Sequence, residues 1–245
     1  MRIGLCGMPD EADLVQGYGF DYLEIPIAAT LAKGDVSPGS LPIEASNVFF
    51  PGDFPLYDRA AREAYVADVF PRARDLGIQV MVVGSGRARE AKEGEDPAAR
   101  EADFVAAVAE LQQLAQHFEI VLAPESLNRT ETNVGNNSGR LAHRLREVGV
   151  AYTADSYHIL REGTEDLAQT FSEAIPFAPA HVHLSGRDRK VPRPDDPELV
   201  AFFRRLNEVG YTGRISIEAN RTLGEPAFRA AVDTVRQLRA AGGYR

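Results

Sequence analysis

Four times along this chain a glycine stands between a stretch of helical period and the apolar run that follows it. The joints are Gly19-Phe20-Asp21-Tyr22, Gly77-Ile78-Gln79-Val80, Gly149-Val150-Ala151 and Gly210-Tyr211. Glycine enters the left-handed conformation without steric penalty, so it stops a helix and turns the chain back. A strand that begins directly afterwards marks a βα unit of a parallel sheet. Eight short runs qualify as strands: Ile3–Gly7, Tyr22–Pro26, Asn47–Phe50, Ile78–Val83, Ile120–Glu125, Ala151–Ser156, His181–Ser185 and Ile215–Ala219. Several are continuously apolar, as strands buried on both faces tend to be.

The segments between them carry the 3.6-residue period. Phe104, Val108, Leu111, Ala115 and Phe118 form one stripe, and Phe228, Val232, Val235 and Leu238 another. Asp96-Pro97, Asp196-Pro197 and Glu225-Pro226 mark helix starts, since proline suits the first turn, where an amide is spare. A Gly-x-Gly-x-x-Gly turn after the first strand is absent, which argues against a dinucleotide-binding sheet. A length of 245 residues suits one closed barrel. The chain is therefore predicted to be α/β, a single-domain (β/α)8 TIM barrel over residues 1–245, with no linker inside it.

Charge and cysteine usage narrow the partners. The balance of 27 basic and 36 acidic residues gives −9, a field that repels polyanions and disfavours a nucleic-acid partner. The single cysteine, Cys6, excludes an internal disulfide framework and suits a reducing compartment. No apolar run reaches the roughly 18–20 residues of a membrane span, and Met1-Arg2-Ile3-Gly4-Leu5 enters a strand at once, without a signal-peptide pattern. A cytoplasmic protein with a small-molecule partner and no membrane contact is expected, free to form a homo-oligomer.

In such a barrel the active site gathers at the C-terminal strand ends. There the fifth run ends in Glu125, the sixth in Asp155, the seventh carries His181-Val182-His183, and the eighth ends in Glu218. The intervals of 30, 28 and 35 residues are each about one βα unit, so the four groups fall in phase on consecutive strands. Three carboxylates converging in a dry pocket repel one another unless a cation lies between them. One divalent ion held by Glu125, Asp155, His183 and Glu218 resolves the conflict. Three oxygen donors and one imidazole favour Mn²⁺, Mg²⁺ or Co²⁺, with Zn²⁺ also compatible. His117 and His143 read as solvated helix residues. His181 reads either as a core histidine or as a supporting partner of the site. Arg187, Arg189, Lys190 and Arg193 cluster at the rim, which fits either an anionic substrate docked through Arg187 or a solvated loop.

Several stretches together resemble a known family. They are Glu125-Ser126-Leu127-Asn128-Arg129-Thr130-Glu131, Asp155-Ser156-Tyr157-His158, His181-Val182-His183 with Arg189 beyond, and Gly210-Tyr211-Thr212-Gly213 before Glu218. To these are added Asn47-Val48-Phe49-Phe50-Pro51-Gly52 and Gly84-Ser85-Gly86-Arg87-Ala88-Arg89. The chain is similar, over essentially its whole length, to the xylose isomerase-like TIM-barrel family, in the branch of ketose 3-epimerases, hydroxypyruvate isomerases and inosose-processing enzymes. The resemblance implies that Glu125 and Glu218 double as an acid–base pair, and that Glu131, His158 and Arg189 hold substrate oxygens. It implies a metal-dependent sugar isomerase or epimerase, working through an enediolate on a small ketose, sugar acid or sugar phosphate. Proton return to the adjacent carbon gives isomerisation, and return to the opposite face gives epimerisation; both are open. Ser185-Gly186-Arg187-Asp188 replaces the Gly-Glu common in the family's epimerases, and Val191-Pro192-Arg193-Pro194 replaces their Pro-Gly-x-Gly turn, so the substrate is open too. A dehydratase of an inosose-like or dehydroshikimate-like substrate is the alternative, since it shares the metal and the proton abstraction. An AP endonuclease-like nuclease is disfavoured by the charge and by the lack of any histidine before residue 117.

Overall fold

The computed structural model describes residues 1–220 and 222–244. Eight parallel strands form one sheet: β1 Arg2–Cys6, β2 Tyr22–Pro26, β3 Ile43–Asn47, β4 Val80–Val83, β5 Val121–Pro124, β6 Thr153–Asp155, β7 His181–Leu184 and β8 Arg214–Ile217. Strand order follows chain order, and β1 pairs with β8. The ring closes between β5 and β6 by one bridge, Glu125 to Thr153, and by the Thr153 hydroxyl donating to the Ala123 carbonyl at 2.8 Å. The fold is a TIM barrel.

Helices wrap the outside: α1 Ala12–Gly17, α2 Arg59–Leu76, α3 Gly86–Arg89, α4 Pro97–Ala115, α5 Ser138–Glu147, α6 Ser156–Glu162, α7 Leu167–Ala174, α8 Pro197–Glu208, α9 Pro226–Arg229 and α10 Ala231–Ala241. The punctuation acts as expected. Asp96 and Asp196 accept backbone N–H groups at the starts of α4 and α8, and the four glycines of the helix–strand joints all have φ between +72° and +89°. Between β2 and β3 the connection holds only a short 3₁₀ turn, Ile27–Ala29, in place of an α-helix.

The third strand departs from the sequence expectation. It runs over Ile43–Asn47, upstream of the expected Asn47–Phe50. Val48 has φ +42°, which ends the strand. Phe49 and Phe50 are buried off the barrel, where they pack with Phe54 and Tyr65 in an aromatic cluster. Two apolar rings in sequence gave a strand-like signal, yet their burial comes from a loop folded onto α2.

Alternation along the strands separates two interiors. Ile3, Leu5, Leu23, Ile25, Leu122, Ala154, Val182, Leu184, Ile215 and Ile217 join the apolar layer beneath the helices. The alternate positions, Gly4, Cys6, Tyr22, Glu24, Thr153, Asp155, His181, His183 and Ser216, point into the barrel. On these strands the inner column is largely polar, while on β4 and β5 the alternate positions Val80, Val82 and Ala123 are apolar. Gly4 is where the column is tightest: a Cβ there would stand 2.3 Å from the ring of Tyr22, which has no exposed surface. Gly4→Ala is therefore expected to lower stability by about 1–3 kcal/mol, the usual range for overpacking a buried site. Urea denaturation with an unchanged m-value checks it.

Candidate active site

β6 and β7 lie in register with Asp155 beside His183, and the Glu218 amide donates to the Leu184 carbonyl, which sets Glu218 one step above them. Glu125 follows directly on β5. From these four positions the side chains meet: each of Glu125, Asp155, His183 and Glu218 offers a ligand atom within 4.8 Å of every other. His183 Nδ1 is the hub, 3.2 Å from Glu125 Oε2, 3.3 Å from Glu218 Oε2 and 3.8 Å from Asp155 Oδ2. The structure thus brings together the whole set expected from sequence.

Burial and like charge shape this cluster. Burial, then the neighbouring Glu218 and Glu125, push the Asp155 carboxyl well above its ordinary range. Its Oδ1 caps α6 through the Tyr157 and His158 amides, while its buried Oδ2 has no hydrogen-bond partner. Burial would likewise raise Glu218, but His183 and Arg189 hold it below the usual carboxylate range. An unpartnered buried carboxylate oxygen amid two more carboxylates and an imidazole fits a divalent cation by charge and donor type.

A second group of residues borders the first. The Asn128 backbone N–H points at His158 Nδ1 at 3.1 Å, so Nδ1 accepts and the ring proton sits on Nε2. Nε2 faces Asp155 Oδ2 at 3.7 Å and lies 3.3 Å from Arg189 Nη1. Burial holds the His158 imidazole down at about 4, so it is neutral at physiological pH. The Asn128 side-chain amide donates to Glu131 Oε1 at 3.2 Å. Arg189 pairs with Glu218 at 2.8 Å and lies over the Tyr157 ring at 4.5 Å. Its backbone has φ +58°, a conformation that costs a non-glycine residue roughly 1–3 kcal/mol. Two backbone hydrogen bonds hold it there, its own N–H to the Gly186 carbonyl and the Asn220 N–H to its carbonyl. A cavity of about 260 Å³ opens beside Glu218 and Arg189, lined also by Cys6, Met8, Pro26 and Asn47.

Arg187 sits apart from this group. Its guanidinium pairs with Glu198 at 2.7 Å and donates to the Leu160 carbonyl at 2.5 Å. Lys190 and Arg193 lie beside Asp188 and Asp196. The rim cations thus have local partners, and the cavity beside Glu218 is not lined by Arg187.

Three features of the site escaped the sequence reading. Glu24 on β2 has no exposed surface and accepts from both His181 and His183; a lone acid within Tyr22-Leu23-Glu24-Ile25-Pro26 was the available signal. Gly84 leaves room for the Glu125 carboxylate, since a Cβ there would stand 2.3 Å from Oε1. Arg89, fully buried over the Phe104 ring, donates to the Glu125 carbonyl at 2.8 Å and fixes that backbone. Cys6, Glu24 and His183 also come within ligand range of one another. Burial and Glu24 raise the Cys6 thiol, however, and the 2.6 Å hydrogen bond between Glu24 and His183 already uses the atoms a cation would need.

Comparison with known proteins agrees with the fold. The family model for the xylose isomerase-like TIM barrel matches residues 12–240, and the chain belongs to that family. Among solved structures it is similar to a 3-keto-D-glucoside 4-epimerase from E. coli, with 19% identity, a TM-score of 0.74, and coverage of 98% of this chain and 99% of that one. An L-ribulose 3-epimerase shares 18% identity at TM-score 0.75, over 98% of this chain and 95% of that one. A D-allulose 3-epimerase from Methylomonas sp., solved with D-allulose, shares 18% at 0.73, over 97% and 96%. No curated protein matches significantly by sequence. Among the described residues, no helix is long and apolar enough to cross a membrane.

The His158 environment yields a pH prediction. A folded-state value near 4, against about 6.5 in an unfolded chain, means the unfolded state takes up this proton first as pH falls. Its contribution to stability is complete above about pH 6.5 and is lost as pH drops towards 4. Histidine-selective NMR should show one ring, absent in His158→Gln, that titrates near pH 4 and stays Nε2-protonated above it.

Proposed function

We propose that this chain is a divalent-metal-dependent sugar isomerase or epimerase that moves a proton at a carbon next to the carbonyl of a small ketose. The convergence of Glu125, Asp155, His183 and Glu218 around one point carries the reading. Family membership and likeness to solved ketose epimerases support it. The four residues would hold the ion, with Mn²⁺ the best match to three oxygens and one imidazole.

A divalent ion at that point would polarise the substrate carbonyl and stabilise the negative charge of an enediolate. The chain's own groups do the rest. Glu125 and Glu218 reach the cluster from strands separated by β6 and β7, so they approach the substrate from two sides. One carboxylate takes the proton and the same or the other returns it, and the face or carbon that receives it decides between isomerisation and epimerisation. His158 offers Nε2–H and Arg189 its guanidinium to substrate oxygens, while Glu131 accepts from a hydroxyl. The charge-paired state of Arg187 favours a neutral sugar over a phosphate.

The test is product analysis by NMR in D₂O over a panel of ketoses, inososes and hydroxypyruvate with Mn²⁺. Solvent deuterium next to the carbonyl without loss of water is expected; loss of water would replace this reading with a lyase. Glu218→Gln should keep the ion while turnover falls about 10²–10⁴-fold, the usual worth of a positioned acid–base group. Asp155→Ala/His183→Ala should lose the ion itself by mass spectrometry. Gly84→Ala should stay folded but displace the Glu125 carboxylate, with turnover lowered on the order of 10²-fold.

A further inference from the structure

Below the cluster lies a buried chain of polar groups that the proposed reaction does not use. Glu24 Oε1 is 2.6 Å from His183 Nε2, and Oε2 is 2.7 Å from His181 Nε2. All three side chains have no exposed surface. His181 Nε2 also lies 3.3 Å from the Ser216 hydroxyl, which is 2.8 Å from the Tyr22 hydroxyl. Gly4 provides the space for that tyrosine ring.

We propose that Glu24 is a positioning residue: it takes the Nε2–H bond of His183 and so commits Nδ1 to the carboxylate cluster. An imidazole has two nitrogens, and the hydrogen bond at one decides which is left to act as a ligand. Here Nε2 meets Glu24 at 2.6 Å, the shorter of the ring's two carboxylate hydrogen bonds, so Nε2 keeps its proton, while Nδ1, 3.2 Å from Glu125 Oε2, is the nitrogen whose proton a cation would displace. Nδ1 is the nitrogen within 3.8 Å of Glu125, Asp155 and Glu218.

A carboxylate buried this deeply stays ionised only when donors surround it. His181 supplies the second donor. Its Nδ1 has no partner, whereas its Nε2 faces Glu24, so the proton sits on Nε2 and is given to Oε2. Burial alone would raise the Glu24 carboxyl; the two imidazoles hold it well below the ordinary range. His181 is thus the support that keeps Glu24 charged, and Glu24 the support that aims His183.

The metal part of this inference rests on the proposed function, so the experiment separates the two. Protein labelled with ¹⁵N-histidine is examined with and without Mg²⁺, a diamagnetic probe, and Mn²⁺ affinity is measured by calorimetry on wild type, Glu24→Gln and His181→Asn. The expected result is a His183 Nε2 that keeps its proton with and without Mg²⁺. Mn²⁺ binding should weaken about 10–100-fold in folded Glu24→Gln, the usual effect of losing a carboxylate behind a ligating histidine, and less in His181→Asn. A His183 protonated on Nδ1 alone in the wild type overturns the proposal, and so does unchanged Mn²⁺ affinity in folded Glu24→Gln. If the wild type binds no Mn²⁺, the metal reading falls, and the Nε2 proton, read without any variant, still decides the role of Glu24.

Discussion

Four carboxylates, Glu24, Glu125, Asp155 and Glu218, enter the same end of one barrel, and the surrounding structure is organised by the need to keep them there. Each solves the problem differently. Glu24 lies between two imidazole N–H groups. Glu218 leans on Arg189 and His183. Asp155 spends one oxygen on the start of α6 and leaves the other unpartnered. Glu125 is held by its backbone through Arg89 and given room by Gly84.

This distribution explains why the barrel interior is polar along β1, β2, β6, β7 and β8, where a typical one is filled with branched apolar residues. The apolar layer lies between strands and helices, and it supplies the cohesion. The inner column is then free to carry Tyr22, Ser216, His181 and Glu24, which run from mid-barrel up to His183. A charged strand residue in such a place is tolerated because both donors it meets come from one strand, β7, held in fixed register across the ring. The same rigidity lets Arg189 keep a left-handed backbone at the mouth, pinned from Gly186 and Asn220.

Chemistry and architecture meet at the β5–β6 seam. Only one bridge joins these strands, and Glu125 and Asp155 stand on its two sides. The two carboxylates therefore flank the point where the sheet is least continuous, and strand alternation turns Asp155 inward. Across the seam the Thr153 hydroxyl donates to the Ala123 carbonyl, while the Arg89 guanidinium, from α3, holds the Glu125 carbonyl on the β5 side.

Much of this was legible in the chain itself. Glycines at helix ends, prolines at helix starts and the spacing of Glu125, Asp155, His183 and Glu218 follow from local backbone preference and from the repeat length of a βα unit, both properties of short segments. The third strand was misplaced because hydrophobicity reports burial without saying against what: Phe49 and Phe50 are buried by α2 and a loop. Arg187 was open in sequence between an anion-docking residue and a solvated loop, because its charge was visible there and its partner Glu198, in the next helix, was not. Glu24 was hidden for the opposite reason. One acid in an apolar strand gains meaning only from the two imidazoles opposite, 157 and 159 residues away along the chain. Local rules fixed the elements and their order; closing the ring decided which polar groups face one another, because only closure brings β2 across from β7.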